Sequence, residues 1–330
     1  MDTEKLLYYH ALIMKVALKL HLLAAGLIVC AFADLGTQSR AQQFTSPGRP
    51  PSENRSVDSA LKAVVGINSP NARKRDTVVL FVTNRRIEHS AEQRPNSRKA
   101  LSYENLFRNE LDVPVSFGAV QLTYPTHRMP GDQNYGRDSV HQNPLYQFSI
   151  VDHEIVDSPD AFRRLIKRLY PNATDDSLFY VHGLDHTFSE AAERFAQLTV
   201  DLDYNGLPLF FSWPSDAYRS GWTGGAYSSN AYINTLSISE KSQRYAAIAI
   251  EELANQNKPI DVIAHSMGAD VAVKAVMLRA RQNRDDDIQT VSLAFDPRVL
   301  ILAAPDISTN DFDSHARPTI TRSVRATVVY

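Results

Sequence analysis

The sequence predicts an α/β fold, a mostly parallel sheet covered by helices. Short apolar runs recur along the chain, helical spacings separate them, and turn or capping residues stand at the junctions. Residues 77–82 (TVVLFV) form the first strand, a continuous apolar run of the kind that parallel sheets bury on both faces. Residues 116–122 are the second strand and 148–151 a third. Ser158-Pro159-Asp160 opens a helix, with Ser158 as N-cap and Pro159 at the first helical position. Phe162, Leu165, Ile166 and Leu169 form its apolar stripe. Strands are then predicted at 178–181, 207–213, 260–264 and 299–303, with helices between them at 189–202, 239–255 and 267–282. Residues 325–330 begin one more strand.

Ahead of this region the chain carries an address. Lys15 and Lys19 precede an apolar run from Leu22 to Val29, and Ala31-Phe32-Ala33 fits a small-residue cleavage site. The run is too short for a comfortable membrane span, so the expectation is an exported protein, periplasmic or secreted, with no stable span in its mature form. Cleavage after Ala33 is preferred to lipidation at Cys30, because Val29 stands where lipidation requires a small residue. A start at Met14 rather than Met1 gives the tidier signal. N-terminal sequencing of exported material checks the boundary; a mature cytoplasmic product that keeps residues 1–33 would contradict it. Residues 34–74, rich in Gln, Ser, Pro, Arg and Asn, read as a flexible linker, and 75–330 as the folded domain.

Composition narrows the chemistry. The formal net charge of -2 and the dispersed Lys and Arg offer no basic stripe for nucleic acid. The single cysteine lies in the segment to be removed, which excludes a thiol nucleophile and a cysteine metal site. No metal or cofactor signature appears. "GWTGG" (221–225) lacks the spacing and the strand–helix context of a phosphate or dinucleotide loop.

"AHSMG" (264–268) sits between a predicted strand and a predicted helix, the setting of a nucleophile elbow. There the backbone at Ser266 is strained and its neighbours two positions away must be small. Gly268 meets that demand, and Ala264 replaces the usual glycine. The competing reading of Ser266 is a helix N-cap. "YVHGL" (180–184) closes an earlier strand. In such hydrolases the turn there and the residue after the serine supply two backbone N–H groups to an oxyanion hole, here Leu184 and Met267. His182 reads as a brace for the turn, His265 as pointing away from substrate, and His186 as a surface histidine. Of ten histidines only His315 follows Ser266, in a polar loop. Asp306 ends the strand between them, where it serves as catalytic acid or caps the next turn. A Ser266–Asp306–His315 triad is one reading. The preferred one is that acid and base lie beyond Tyr330, which leaves the chain as written a feeble catalyst. Residues 214–235, rich in Tyr, Ser and Gly, form either a substrate lid or a plain surface excursion.

These motifs, with "VVLFVTNRR" (78–86), "SFGAVQLTYPTHRMPGD" (116–132), "LFYVHGLDHTFSEAAERFAQLTVDL" (178–202), "PLFFSWPSDA" (208–217), "IDVIAHSMGADV" (260–271) and "LAAPDISTNDF" (302–312), resemble a bacterial α/β-hydrolase family of unknown function. The resemblance implies an α/β-hydrolase fold, with helices on both faces of the sheet and the last strands missing. It also implies an esterase-like serine hydrolase acting on a small-molecule ester or acyl substrate without a cofactor. A non-catalytic binding scaffold of the same fold is the alternative.

Overall fold

The computed structural model describes residues 74–88, 103–125, 148–173, 176–215, 229–285 and 297–330. The expected export signal, nearly all of the expected linker, residues 126–132 of the resemblance and most of the Tyr/Ser/Gly-rich stretch lie outside them. The chain divides into two compact units, Met1–Asp76 with Thr123–Gln147, and Thr77–Leu122 with Phe148–Tyr330. The second holds the elbow.

The strands are β1 (Lys74–Ile87), β2 (Phe107–Pro125), β3 (Ser149–Val156), β4 (Ser177–Val181), β5 (Leu207–Ser212), β6 (Ile260–His265), β7 (Pro297–Ala303) and β8 (Ala326–Val329). They form one sheet in the order β3-β2-β1-β5-β4-β6-β7-β8. The pairings β1/β5, β5/β4, β4/β6, β6/β7 and β7/β8 are parallel, as the apolar runs predict. Every residue of β4, β5 and β7 is buried, whereas β8 alternates in exposure.

Helices α1 (Tyr103–Leu106), α2 (Pro159–Leu169), α3 (Phe188–Asp201), α4 (Ser229–Ala254) and α5 (Gly268–Asp285) precede a helical stretch from Thr309 to Ser323. Ser158 caps α2 by accepting the Ala161 N–H, and Thr187 and Glu190 form a reciprocal capping box on α3. The connection from β4 to β5 runs one way along the sheet, and that from β5 to β6 runs back past β4. Right-handed crossovers of opposite direction place their helices on opposite faces. Accordingly Phe188 and Phe195 of α3 pack on Phe81 and Phe210, while α2, α4 and α5 share a core with Val82, Val181, Phe211 and Trp213.

Two stretches differ from the sequence prediction. Helix α4 begins at Ser229, ten residues before the predicted start at Ser239. The small polar residues of 229–238 hide the apolar period, and among them Thr235 is buried; further along, other polar residues are buried too. Ser239 and Ser242 satisfy their hydroxyls on the carbonyls of Leu236 and Ile238 in their own helix. The polar loop expected around His315 is helical: α6 (Thr309–Asp311) is capped by Ser308, a π-helical turn covers Phe312–Ala316, and α7 spans Arg317–Ser323. Ala316 and Ile320 anchor that stretch in the core. Among the described residues no helix is long and apolar enough to cross a membrane.

Candidate functional site

The chain reverses its direction of travel across the sheet between β4 and β6, and a crevice opens at the carboxyl ends of strands at such a point. The turn after β4 carries His182-Gly183-Leu184, and the turn after β6 carries Ser266. The strand–turn–helix pattern on either side of Ser266 thus delivers it to the place where the topology makes room.

Ser266 adopts φ 51°, the left-handed region that a serine rarely enters. Strain of this kind costs about 1–3 kcal/mol and persists only where the surroundings enforce it. Here they do. The Ser266 N–H donates to the Ala303 carbonyl at 2.9 Å, while the Ser266 carbonyl accepts from the Ala269 and Asp306 N–H groups at 2.9 and 3.1 Å. The elbow is therefore tied to the end of β7 as well as to α5. The N-cap alternative for Ser266 finds no support, because its hydroxyl makes no hydrogen bond to any described residue.

The two turns touch. A methyl group on Gly183 would lie 3.0 Å from Ser266 Cβ and 2.8 Å from His265 Nδ1, and one on Gly268 would lie 2.2 Å from the His182 carbonyl oxygen. Both glycines are required by space, which is what lets the β4 turn approach Ser266. Among the described residues no acceptor takes the N–H of Leu184 or of Met267. Met267 precedes the first turn of α5, so the helix dipole also favours negative charge there.

His182 is a brace, as its position in the sequence suggests. Its Nε2 accepts the Trp213 N–H at 3.1 Å, so the proton sits on Nδ1, which donates to the Gly183 carbonyl at 2.9 Å. The indole Nε1–H of Trp213 donates to the His182 carbonyl at 2.9 Å, and the two rings lie nearly parallel. Burial first, and then the charges of His186 and Arg85, hold the imidazole well below its ordinary pKa. The ring is thus a fixed neutral strut. Burial also pushes His265 down to about 3, helped by the charges of His186 and Arg194. His186 is only half-buried, and its Nδ1 donates to the Leu184 carbonyl at 2.9 Å, stiffening the same turn.

The acidic and basic candidates part company. Asp306 stands at the elbow through its own N–H on the Ser266 carbonyl, and its carboxylate accepts the Tyr232 hydroxyl at 2.9 Å. It does not cap the following turn, which is Ser308's task. His315 lies on the π-helical turn, 70% exposed, with Nδ1 3.0 Å from the Asp311 carboxylate one helical turn earlier. Ser266 and Asp306 are brought together, and His315 is held by a different acid. Among the described residues no cluster of histidine, cysteine and acidic side chains suits a metal ion.

Three contributors escape the sequence reading. Arg85, Ser215 and Trp213 all converge on the turn after β4 from other strand ends. Their signal was the position of "TNRR" and "SWPS" immediately at strand ends, the same end of the sheet as Ser266. No curated protein and no solved structure matches the chain. Residues 158–330 match the family described as alpha/beta hydrolase of unknown function (DUF900), which takes in β4, the elbow and every later element. With more than half of its length in that match, the chain belongs to this alpha/beta hydrolase family.

Proposed function

We propose that this hydrolase cleaves carboxylic esters of small molecules with Ser266 as its nucleophile. The observation that carries the reading is the strained Ser266 elbow, wedged between β6 and α5 with the Gly183 turn against it. Ser266 Oγ adds to the ester carbonyl, and as the bond to the alcohol oxygen breaks, the serine proton ends on the departing alkoxide. The carbonyl oxygen gathers negative charge and takes hydrogen bonds from the Leu184 and Met267 N–H groups. Water then releases the acyl group from Ser266 by the same steps in reverse order. Within this chain the acid proposed is Asp306, whose own N–H is tied to the Ser266 carbonyl and whose carboxylate accepts the Tyr232 hydroxyl.

A serine hydrolase of this kind is labelled by a fluorophosphonate, which phosphonylates the activated serine. The expected result is labelling on the peptide that contains Ser266, abolished by Ser266→Ala. His315→Ala is expected to change the rate less than about 2-fold, because an exposed side chain away from special features has little energetic weight. Labelling that survives Ser266→Ala would refute the nucleophile. Labelling lost in His315→Ala would instead establish a compact Ser266–Asp306–His315 triad.

A further inference from the structure

Arg85 ends in an unusual place for a guanidinium. It follows the apolar part of β1 and is only 1% exposed. In the sheet β5 lies between β1 and β4, yet Arg85 spans that gap. Its Nε donates to Ser212 Oγ, at the end of β5, at 2.9 Å. Its Nη2 donates to the His186 carbonyl, on the turn after β4, at 2.6 Å. Thr83 prepares the reach: its hydroxyl donates to the Ser212 carbonyl at 2.7 Å and accepts the Arg85 N–H at 3.1 Å.

The turn that Arg85 grips is the one that carries the Leu184 N–H. Its path is strained, with Asp185 at φ 58°. Ser215, just past the end of β5, ties it down as well. The Asp185 N–H donates to the Ser215 carbonyl at 2.8 Å, the His186 N–H donates to Ser215 Oγ at 3.2 Å, and that hydroxyl donates to the His186 carbonyl at 3.2 Å. The His186 carbonyl thus receives both Arg85 and Ser215. A hydrogen bond from a cation to a carbonyl is shorter and stronger than a neutral one, and the guanidinium fork fixes direction as well as distance.

We infer that Arg85 is a positioning residue for the oxyanion hole: its buried guanidinium clamps the 183–186 turn so that the Leu184 N–H faces the carbonyl oxygen under attack at Ser266. This deepens the serine-hydrolase reading and rests on it. A polar group set at the developing charge is effective only when it needs no rearrangement during the reaction, and a loosened turn forfeits that advantage. The field of the guanidinium reaches the turn as well, since Arg85 adds to burial and to His186 in disfavouring the charged form of His182.

The test is the kinetics of fluorophosphonate labelling on the full chain, separated into the probe's apparent affinity and the limiting rate at saturation, with the final stoichiometry per protein. Arg85→Met is expected to lower the limiting rate about 10- to 100-fold. Apparent affinity should stay within about 2-fold and the final stoichiometry should remain that of the wild type. Arg85→Lys, which keeps a cationic donor without the fork, is expected to recover part of the rate. A purely structural role predicts the opposite pattern: fewer reactive molecules, each labelled at the normal limiting rate, and that result would overturn the inference. If Arg85→Met does not fold, a wild-type limiting rate in Arg85→Lys overturns it equally. Residual labelling in Ser266→Ala is a separate outcome that removes the nucleophile assignment itself.

Discussion

Gly268→Ala is expected to slow fluorophosphonate labelling of Ser266 by about 100-fold and to lower stability by about 1–3 kcal/mol. The added methyl group would sit 2.2 Å from the His182 carbonyl oxygen, 2.8 Å from the carbon of that carbonyl and 2.9 Å from the Val181 carbonyl oxygen. All three are backbone atoms at the end of β4, so no side chain can swing aside to make room. Either α5 retreats from the sheet or the β4 turn moves, and either motion parts the Met267 N–H from the Leu184 N–H. Alanine is the better helix former by about 1 kcal/mol, which offsets some of the stability cost and none of the displacement. The measurement pairs labelling rates with urea unfolding midpoints. A variant that labels at the wild-type rate would show that the two turns do not need this close approach.

The elbow was legible in the sequence because three independent signals coincide at Ser266: an apolar strand, small residues around the serine and a helix directly after. The close-packed turn after β4 was legible for the same reason, since Gly183 follows a strand on the same kind of boundary. The extent of α4 was not. Its first turns carry Ser, Asn and Thr, residues that signal loops, and they invert the usual stripe: Ile233 and Leu236 are exposed while Thr235 is buried. The partner of His315 was hidden by the same kind of error, because Asp311 and His315 meet only when the segment between them is helical. Arg85 lies further from reach. Its contact with His186 crosses 101 positions of sequence and depends on β5 lying between β1 and β4, a fact of topology that no local pattern contains.

Arg298→Met is expected to cost about 3 kcal/mol of stability at neutral pH, although the site lies at the opposite end of the strands from Ser266. Arg298 is the second residue of β7, Asp261 the second of β6, and Asp176 immediately precedes β4. These strands are adjacent and parallel, so the three side chains gather at their amino ends. Arg298 Nε donates to one Asp261 oxygen at 2.8 Å and Nη2 to the other, and Nη2 also donates to Asp176 at 2.8 Å. The Arg298 side chain is 9% exposed, and those of Asp176 and Asp261 are 20% and 13% exposed. Methionine fills much of the same space but leaves two neighbouring carboxylates without their cation. Burial already raises the Asp261 pKa above the ordinary carboxylate value of 3.8, and Asp176 adds to the rise, while Arg298 opposes both. Without Arg298 only the raising causes remain. A carboxyl whose folded pKa exceeds its unfolded one binds its proton more tightly when folded, so its contribution to stability falls as pH rises. The gap in urea midpoint between wild type and Arg298→Met should therefore be widest near pH 7 and narrow as pH falls toward 5. Asp261→Asn added to Arg298→Met should recover part of the loss at pH 7 by removing one of the stranded charges. A pH-independent deficit would mean that the loss is one of packing rather than of charge.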